Sequence, residues 1–211
     1  PEPTIGANSD TQADDHFNTV LYTGNGGTPS ITGVGFQPDW TWIKCRSDAY
    51  RHVLTDSSRG ATKSLYSNLT DAEVTDTGGL TAFSTDGFSL GATANVNANT
   101  ETFVAWNWKA NGGTTVTNEA GSIDSTVQAN TTAGFSIVTA TSPSSGTWSF
   151  GHGLSKKPDM IIQKYRAGTG RWTTWHNILT SGQYLGLNQT NAIASSGTPF
   201  NFTITDALIG G

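Results

Sequence analysis

The sequence has little of what disulfide frameworks, long helices and charged interfaces require. It contains one cysteine, Cys45, so no internal disulfide can form, and the apolar strand pattern around it predicts a buried free thiol. Charged residues make up 13% of the chain and its net charge is -5, without a basic stripe, which argues against binding to duplex DNA. No apolar run approaches the roughly 18 residues of a membrane-spanning helix, and no signal peptide is visible.

Combinations of residues that would indicate catalysis or metal binding are also missing. None of the four histidines stands at the helical spacing of a zinc pair. The carboxylates lie mostly in turn contexts and form no glycosidase pair, and there is no G-x-S-x-G elbow. Calcium on a loop rich in Asp and Asn remains an alternative, although no EF-hand spacing is present. We therefore predict a protein that is not an enzyme and has no catalytic, metal or cofactor residues.

What the sequence does contain is one motif that occurs twice. GFQPDWTWIKCR begins at Gly35, and GLSKKPDMIIQKYR begins at Gly153. A spacing of 120 positions relates Pro38 to Pro158 and Lys44 to Lys164. At the same spacing Asp39 matches Asp159, Arg46 matches Arg166, Arg51 matches Arg171, and Asn68 matches Asn188. Matches in one order with small gaps indicate an internal duplication.

The duplication predicts the domain organisation. Residues 1–15 are expected to form an N-terminal arm, residues 16–110 the first repeat, residues 111–131 a linker and residues 132–211 the second repeat. The linker is polar, with a short strand expected from Ser122 to Val127. The first repeat ends with ETFVAWNWKA, and the second contains no such segment. The second unit is thus expected to lack its last strand. Either it is an open sandwich, or a partner supplies the strand, or the chain continues beyond the given sequence.

The pattern within each repeat predicts strands. In PDWTWIKCR, Trp40 and Trp42 share one face while Ile43 and Cys45 share the other, which is the period of two typical of a strand. Turn signals rich in Gly, Asn and Asp separate such segments. The predicted fold class is all-β, with two tandem related antiparallel β-sandwich units that resemble jelly rolls.

Aromatic and arginine residues near loops indicate a candidate surface for contact with a partner. The candidates are Arg51, His52, Arg171, Trp172 and Trp175, because aromatic rings beside arginine are favoured for gripping sugars or proteins. Ordinary packing of a hairpin is the alternative for these residues. Asn68 and Asn188 match the glycosylation sequon at equivalent places, and we interpret them as turn formers.

Several phrases, among them FNTVLYTGNGG, ITGVGFQPDWTWIK and ETFVAWNWKAN, resemble a repeated domain in tail-fibre and other virion proteins of marine and aquatic bacteriophages. GHGLSKKPDMIIQK and YLGLNQTNA resemble the next copy of that domain. The resemblance implies a virion setting, at the surface of an extracellular particle, and carries no catalytic residue to transfer.

The resulting expectation is a structural virion protein, in the tail or a tail fibre, that presents loops for host-surface attachment. Its expected partners are other virion proteins, further copies of itself in a homo-oligomer such as a trimer, and a host glycan or protein. No nucleic acid and no membrane insertion are expected. The alternatives are a capsid decoration or protruding protein, and a carbohydrate-binding module or depolymerase.

Overall fold

The fold is all-β, as the composition predicted. The computed structural model describes residues 12–180, 182–195 and 203–210. Within these ranges the helical elements are a 3-10 turn at Ala13–Asp15 and one helical turn, α1, at Ala94–Asn97. Most of the predicted N-terminal arm, residues 1–11, lies outside the described residues.

Nineteen strands follow one another along the described chain. The first nine are β1 (Phe17–Thr23), β2 (Ser30–Thr32), β3 (Trp40–Cys45), β4 (Val53–Asp56), β5 (Lys63–Tyr66), β6 (Val74–Thr75), β7 (Leu80–Ser84), β8 (Gly87–Leu90) and β9 (Thr102–Trp108). The others are β10 (Val116–Asn118), β11 (Ser125–Asn130), β12 (Phe135–Ala140), β13 (Ser149–Gly151), β14 (Met160–Lys164), β15 (Trp172–His176), β16 (Gln183–Gly186), β17 (Ala194–Ser195), β18 (Thr203–Ile204) and β19 (Leu208–Gly210).

The first unit is a sandwich of two antiparallel sheets. One sheet has the order β1-β9-β3-β4-β5-β6, and the other has the order β2-β8-β7. Alternation along the strands sends Ile43, Cys45 and Phe103 into a core shared with Leu80 and Phe88 of the smaller sheet. Cys45 is a buried free cysteine, which confirms the sequence prediction.

The second unit repeats this connectivity. The order β14-β15-β16-β17 matches β3-β4-β5-β6, and the order β13-β19-β18 matches β2-β8-β7. Its core contains buried Trp175 and Tyr184, with Ile161 and Ile204 packed against them. The two tandem sandwich-like units therefore share one strand order, and the described residues of the second contain no counterpart of β9.

The polar segment between the units contains more structure than its composition predicted. Two strands, β10 and β11, lie within the expected linker of residues 111–131, and β11 pairs along its whole length with β12. The Gln128 carboxamide accepts hydrogen bonds from the backbone of Asn111 and Gly113 and donates to Ser57 and Ser58 in the first unit. Backbone pairing and this buried amide hold the segment without an apolar pattern.

The outer face of the first unit's large sheet is an interface rather than a solvent face. Leu54, Leu65 and Trp172 form a buried cluster that joins the two units, with Trp40 and Trp42 packed against it. The backbone N–H of Glu73 donates to the Arg166 carbonyl at 2.9 Å, and that of Gly170 donates to the Thr70 carbonyl at 2.8 Å. This explains why β3 carries apolar residues on both faces.

Candidate contact cleft between the two units

The repeated Lys-x-Arg phrase holds a loop in each unit. The Lys44 ammonium donates to the carbonyls of Cys45 and Asp48, and Lys164 donates to those of Tyr165 and Gly168 at the equivalent positions. Burial lowers the pKa of Lys164, although the charge of Asp71 acts in the opposite direction. Each lysine thus fixes the loop that follows its own strand, β3 or β14, and these loops contain the predicted contact residues Arg51, His52 and Arg171.

The repeated Pro-Asp has different surroundings in the two copies. The Asp39 carboxylate is fully buried and accepts hydrogen bonds from the Ser57 hydroxyl and from the backbone N–H groups of Ala110, Gly112 and Gly113. These three donors belong to the segment that leaves the first unit, far along the chain. Asp159 is exposed, and its carboxylate accepts only from the side chain of Asn177 among the described contacts.

Two of the predicted contact residues are buried, which corrects the prediction for them. Trp172 is 4% exposed and donates its indole N–H to the Tyr66 carbonyl at 2.8 Å across the unit interface. Trp175 is 7% exposed and belongs to the core of the second unit. Both indoles are buried, because Trp172 fills the interface between the units and Trp175 fills the core of its own unit.

The two predicted arginines are exposed and lie over tyrosine rings. The Arg51 guanidinium lies 4.6 Å from the ring centre of Tyr66, and Arg171 lies 5.5 Å from that of Tyr184. Arg171 also donates to the Tyr184 hydroxyl. Cation–π contact of this kind orders the side chain while leaving guanidinium N–H groups toward solvent.

His52 lies at a cleft where the two units meet. The cleft has a volume of about 260 Å³ and is lined by Trp42, His52, Ser67, Asn68, Leu187, Asn188, Gln189 and Thr190. The His52 ring accepts a hydrogen bond from the Trp42 indole N–H at 3.1 Å. Burial, and to a lesser degree the charge of Lys44, lowers the pKa of His52 from its ordinary value of 6.5. The cleft is therefore uncharged near neutral pH.

Equivalent asparagines stand on the two sides of the cleft. The Asn68 side-chain oxygen accepts the backbone N–H of His52 at 3.0 Å, and that of Asn188 accepts the backbone N–H of Trp172 at 3.0 Å. These are the two sequon asparagines, and each ties its turn to the neighbouring strand start. With the carbonyl oxygen of each amide held, the amide nitrogen is left as the donor that the side chain can offer to a ligand.

Chemically, the cleft combines an aromatic ring with amide and hydroxyl groups. Such groups suit a neutral ligand rich in hydroxyls, since amides both donate and accept and an indole packs on C–H surfaces. The lining contains no carboxylate, and a glycosidase needs two of them. Among the described residues no group of three or more His, Cys, Asp or Glu could hold a metal ion.

Sequence reasoning found His52 but missed the other cleft residues. The strand pattern indicates only which face Trp42 occupies, and the interpretation of Asn68 and Asn188 as turn formers is supported in part by their hydrogen bonds to backbone N–H groups. The available signal was the spacing of 120 positions between the two asparagines, because it placed both at the same end of their sheets. That the two ends meet depends on the interface between the units.

Comparison with known proteins supplies a family but no activity. No curated protein and no solved structure matches the chain. In the described part of the chain no helix is long and apolar enough to cross a membrane. A single family profile matches residues 12–209, so it spans both units and the segment between them. This chain accordingly belongs to the family described as a domain of unknown function, DUF7483.

Proposed function

We propose that this chain is a structural, non-enzymatic component of a bacteriophage particle, in the tail or a tail fibre, where it contacts the host surface through the cleft between its units. The virion setting is supported by the resemblance of its repeated phrases to domains of phage tail-fibre and virion proteins. The contact role is supported by the cleft, in which equivalent Asn-bearing turns flank Trp42. The ligand class that fits this lining is a neutral glycan.

The rigidity of the surroundings suits such a role. The cleft lies on loops that are held by lysine-to-carbonyl and asparagine-to-backbone hydrogen bonds in both units. A ligand would therefore meet groups that are already in place and would lose little free energy to loop ordering. Assembly into a homo-oligomer such as a trimer would multiply weak contacts through avidity.

Placement on the particle is tested by immunogold electron microscopy of phage that carry this gene product. We expect an antibody against the purified protein to label the tail or its fibres. Label confined to the shell would instead favour the alternative role of a capsid decoration protein. Particles that contain no label and no peptide of this chain by mass spectrometry would overturn the virion assignment.

Glycan contact is tested on an array of bacterial surface oligosaccharides, with Gln189→Ala as the cleft variant. Loss of one neutral hydrogen bond, roughly 1 kcal/mol, predicts binding about fivefold weaker. Gln163→Ala, at an exposed residue of β14 outside the cleft, is the matched control and should bind like the parent. Release of shortened oligosaccharides would favour a depolymerase, and equal binding by both variants would exclude the cleft.

A further inference from the structure

Among the described residues, no strand lies beside one edge of β14. Its equivalent in the first unit, β3, lies between β9 and β4 and pairs with both. Within the described residues β14 pairs with β15 alone, and β12 pairs with β11. The second unit therefore presents a sheet edge at the place that β9 occupies in the first.

The alternation of an antiparallel ladder identifies the backbone groups at this edge. The N–H of Asn177 donates to the Asp159 carbonyl, so Asp159 and the residues two and four places on point to β15. The N–H and C=O groups of Met160, Ile162 and Lys164 consequently point to the opposite edge. In the first unit the N–H of Arg46 donates to the Thr102 carbonyl, so β3 directs its even-numbered residues to β9 in the same way.

Burial gives an independent observation at the same place. The inward residues of β9, Phe103 and Ala105, are 0% exposed and complete the core of the first unit. The described part of the second unit has no such residues, and Tyr165 is 61% exposed although its equivalent Cys45 is 1% exposed. Met160, at the start of β14, is 51% exposed. The open edge thus coincides with a core that is less covered than its duplicate.

We propose that the open edge of β14 binds an antiparallel strand of another polypeptide segment, in the register that β9 adopts on β3. The occupant is a strand of the β9 type, with apolar side chains on both faces. One face would cover Ile161 and the core around Trp175, and the other would extend the apolar face that carries Ile162. Backbone hydrogen bonds would provide affinity and alternate side chains would provide selectivity.

The probe is the synthetic peptide ETFVAWNWKA, which is residues 101–110 of the chain itself. We expect it to bind the purified protein in a one-to-one complex and to slow amide hydrogen exchange in residues 160–164. No saturable binding would overturn the proposal. Slow exchange at β14 without peptide, increasing with protein concentration, would overturn it in favour of pairing between two copies.

Two isomeric peptides separate strand pairing from unspecific apolar binding. In β9 the residues that point to β3 are Thr102, Val104, Trp106 and Trp108, as the bond from Arg46 to Thr102 requires. N-methylation at Val104 and Trp106 removes the donors toward β14, whereas N-methylation at Ala105 and Asn107 leaves them. Loss of two neutral hydrogen bonds predicts binding at least about tenfold weaker for the first isomer than for the second. Equal affinity of the two isomers would refute edge pairing.

A protein variant provides the reciprocal test. Ile162→Pro removes the N–H at the centre of the open edge without removing a bond to β15, and proline is tolerated on edge strands. Ile162→Ala removes a similar amount of side chain and keeps the N–H. We expect the alanine variant to bind the peptide and the proline variant to lose binding. Binding by a folded proline variant at the parent's affinity would contradict the proposal, and the N-methyl isomers decide the matter if that variant does not fold.

Discussion

The buried Asp39 carboxylate offers a quantitative test of why Pro-Asp is repeated. It receives four hydrogen bonds, from the Ser57 hydroxyl and from the backbone N–H groups of Ala110, Gly112 and Gly113, at 2.7 to 2.9 Å. Asp39→Asn replaces one carboxylate oxygen by an NH₂ group, which cannot accept and which faces two donors. Hydrogen bonds to a charged group contribute about 1.5–3 kcal/mol each, so loss of two predicts destabilisation by about 3–6 kcal/mol.

The repeat supplies the control for this substitution. Asp159 occupies the equivalent position, but it is exposed and its carboxylate accepts from the Asn177 side chain alone among the described contacts. Asp159→Asn should therefore cost less than about 1 kcal/mol, as is usual for surface positions. The measurement is urea unfolding of the parent and both variants, followed by tryptophan fluorescence. Similar losses of unfolding free energy in the two variants would refute the argument. They would mean that the bonds from Asp39 to the segment after β9 do not make the first copy more sensitive to this substitution.

Three further predictions concern the interface, the backbone and pH. Trp172→Ala should destabilise the protein by about 3–5 kcal/mol in urea unfolding, as expected for a buried tryptophan. Arg171→Ala, at the neighbouring exposed residue, should cost much less. Equal effects of the two substitutions would contradict burial of the indole. Gly153→Ala should lower the melting temperature more than Gly33→Ala. Both glycines have positive φ, but only at Gly153 would the new Cβ meet another side chain, that of Val127 at 2.5 Å. An equal decrease for the two variants would mean that this contact relaxes. His152 is buried, and burial lowers its pKa from 6.5, so the unfolded chain takes up the proton first and stability should fall as the pH falls below 6.5. His152→Gln should reduce that slope in melting temperatures measured from pH 7.5 to 5.5, and a slope equal to that of the parent would contradict the argument.

The sequence predicted the parts of the fold that follow from local pattern. Alternation in PDWTWIKCR placed Ile43 and Cys45 inward, and the spacing of 120 positions predicted β14 as a copy of β3. It predicted a short strand from Ser122 to Val127, which overlaps β11, but it could not predict β10, because a strand held by backbone bonds needs no apolar period. Val116 in β10 is in fact an exposed apolar residue.

Burial at the interface between the units was also beyond the sequence. Trp172 aligns with His52, which is half-exposed, so the alignment places both at a loop end. The indole is buried because it crosses to the Tyr66 carbonyl of the other unit. The cleft residues depend on the same crossing, since Asn68 and Asn188 belong to turns 120 positions apart. A pattern within one repeat carries no information on how two repeats pack.

The differences between the copies indicate how a duplicated sandwich acquires a specific arrangement. At the position of His52 the second copy has Trp172, which fills the interface, while His52 itself remains at the cleft and bonds Trp42. The Glu73 carboxylate accepts from buried Arg59 in its own unit at 2.8 Å and lies 3.5 Å from Arg166 of the other unit. Unequal residues at equivalent positions therefore contribute to making one side fill the interface and the other line a cleft. Repeated residues such as Asn68 and Asn188 thus anchor equivalent turns in both units, whereas the difference between His52 and Trp172 distinguishes the cleft from the buried interface.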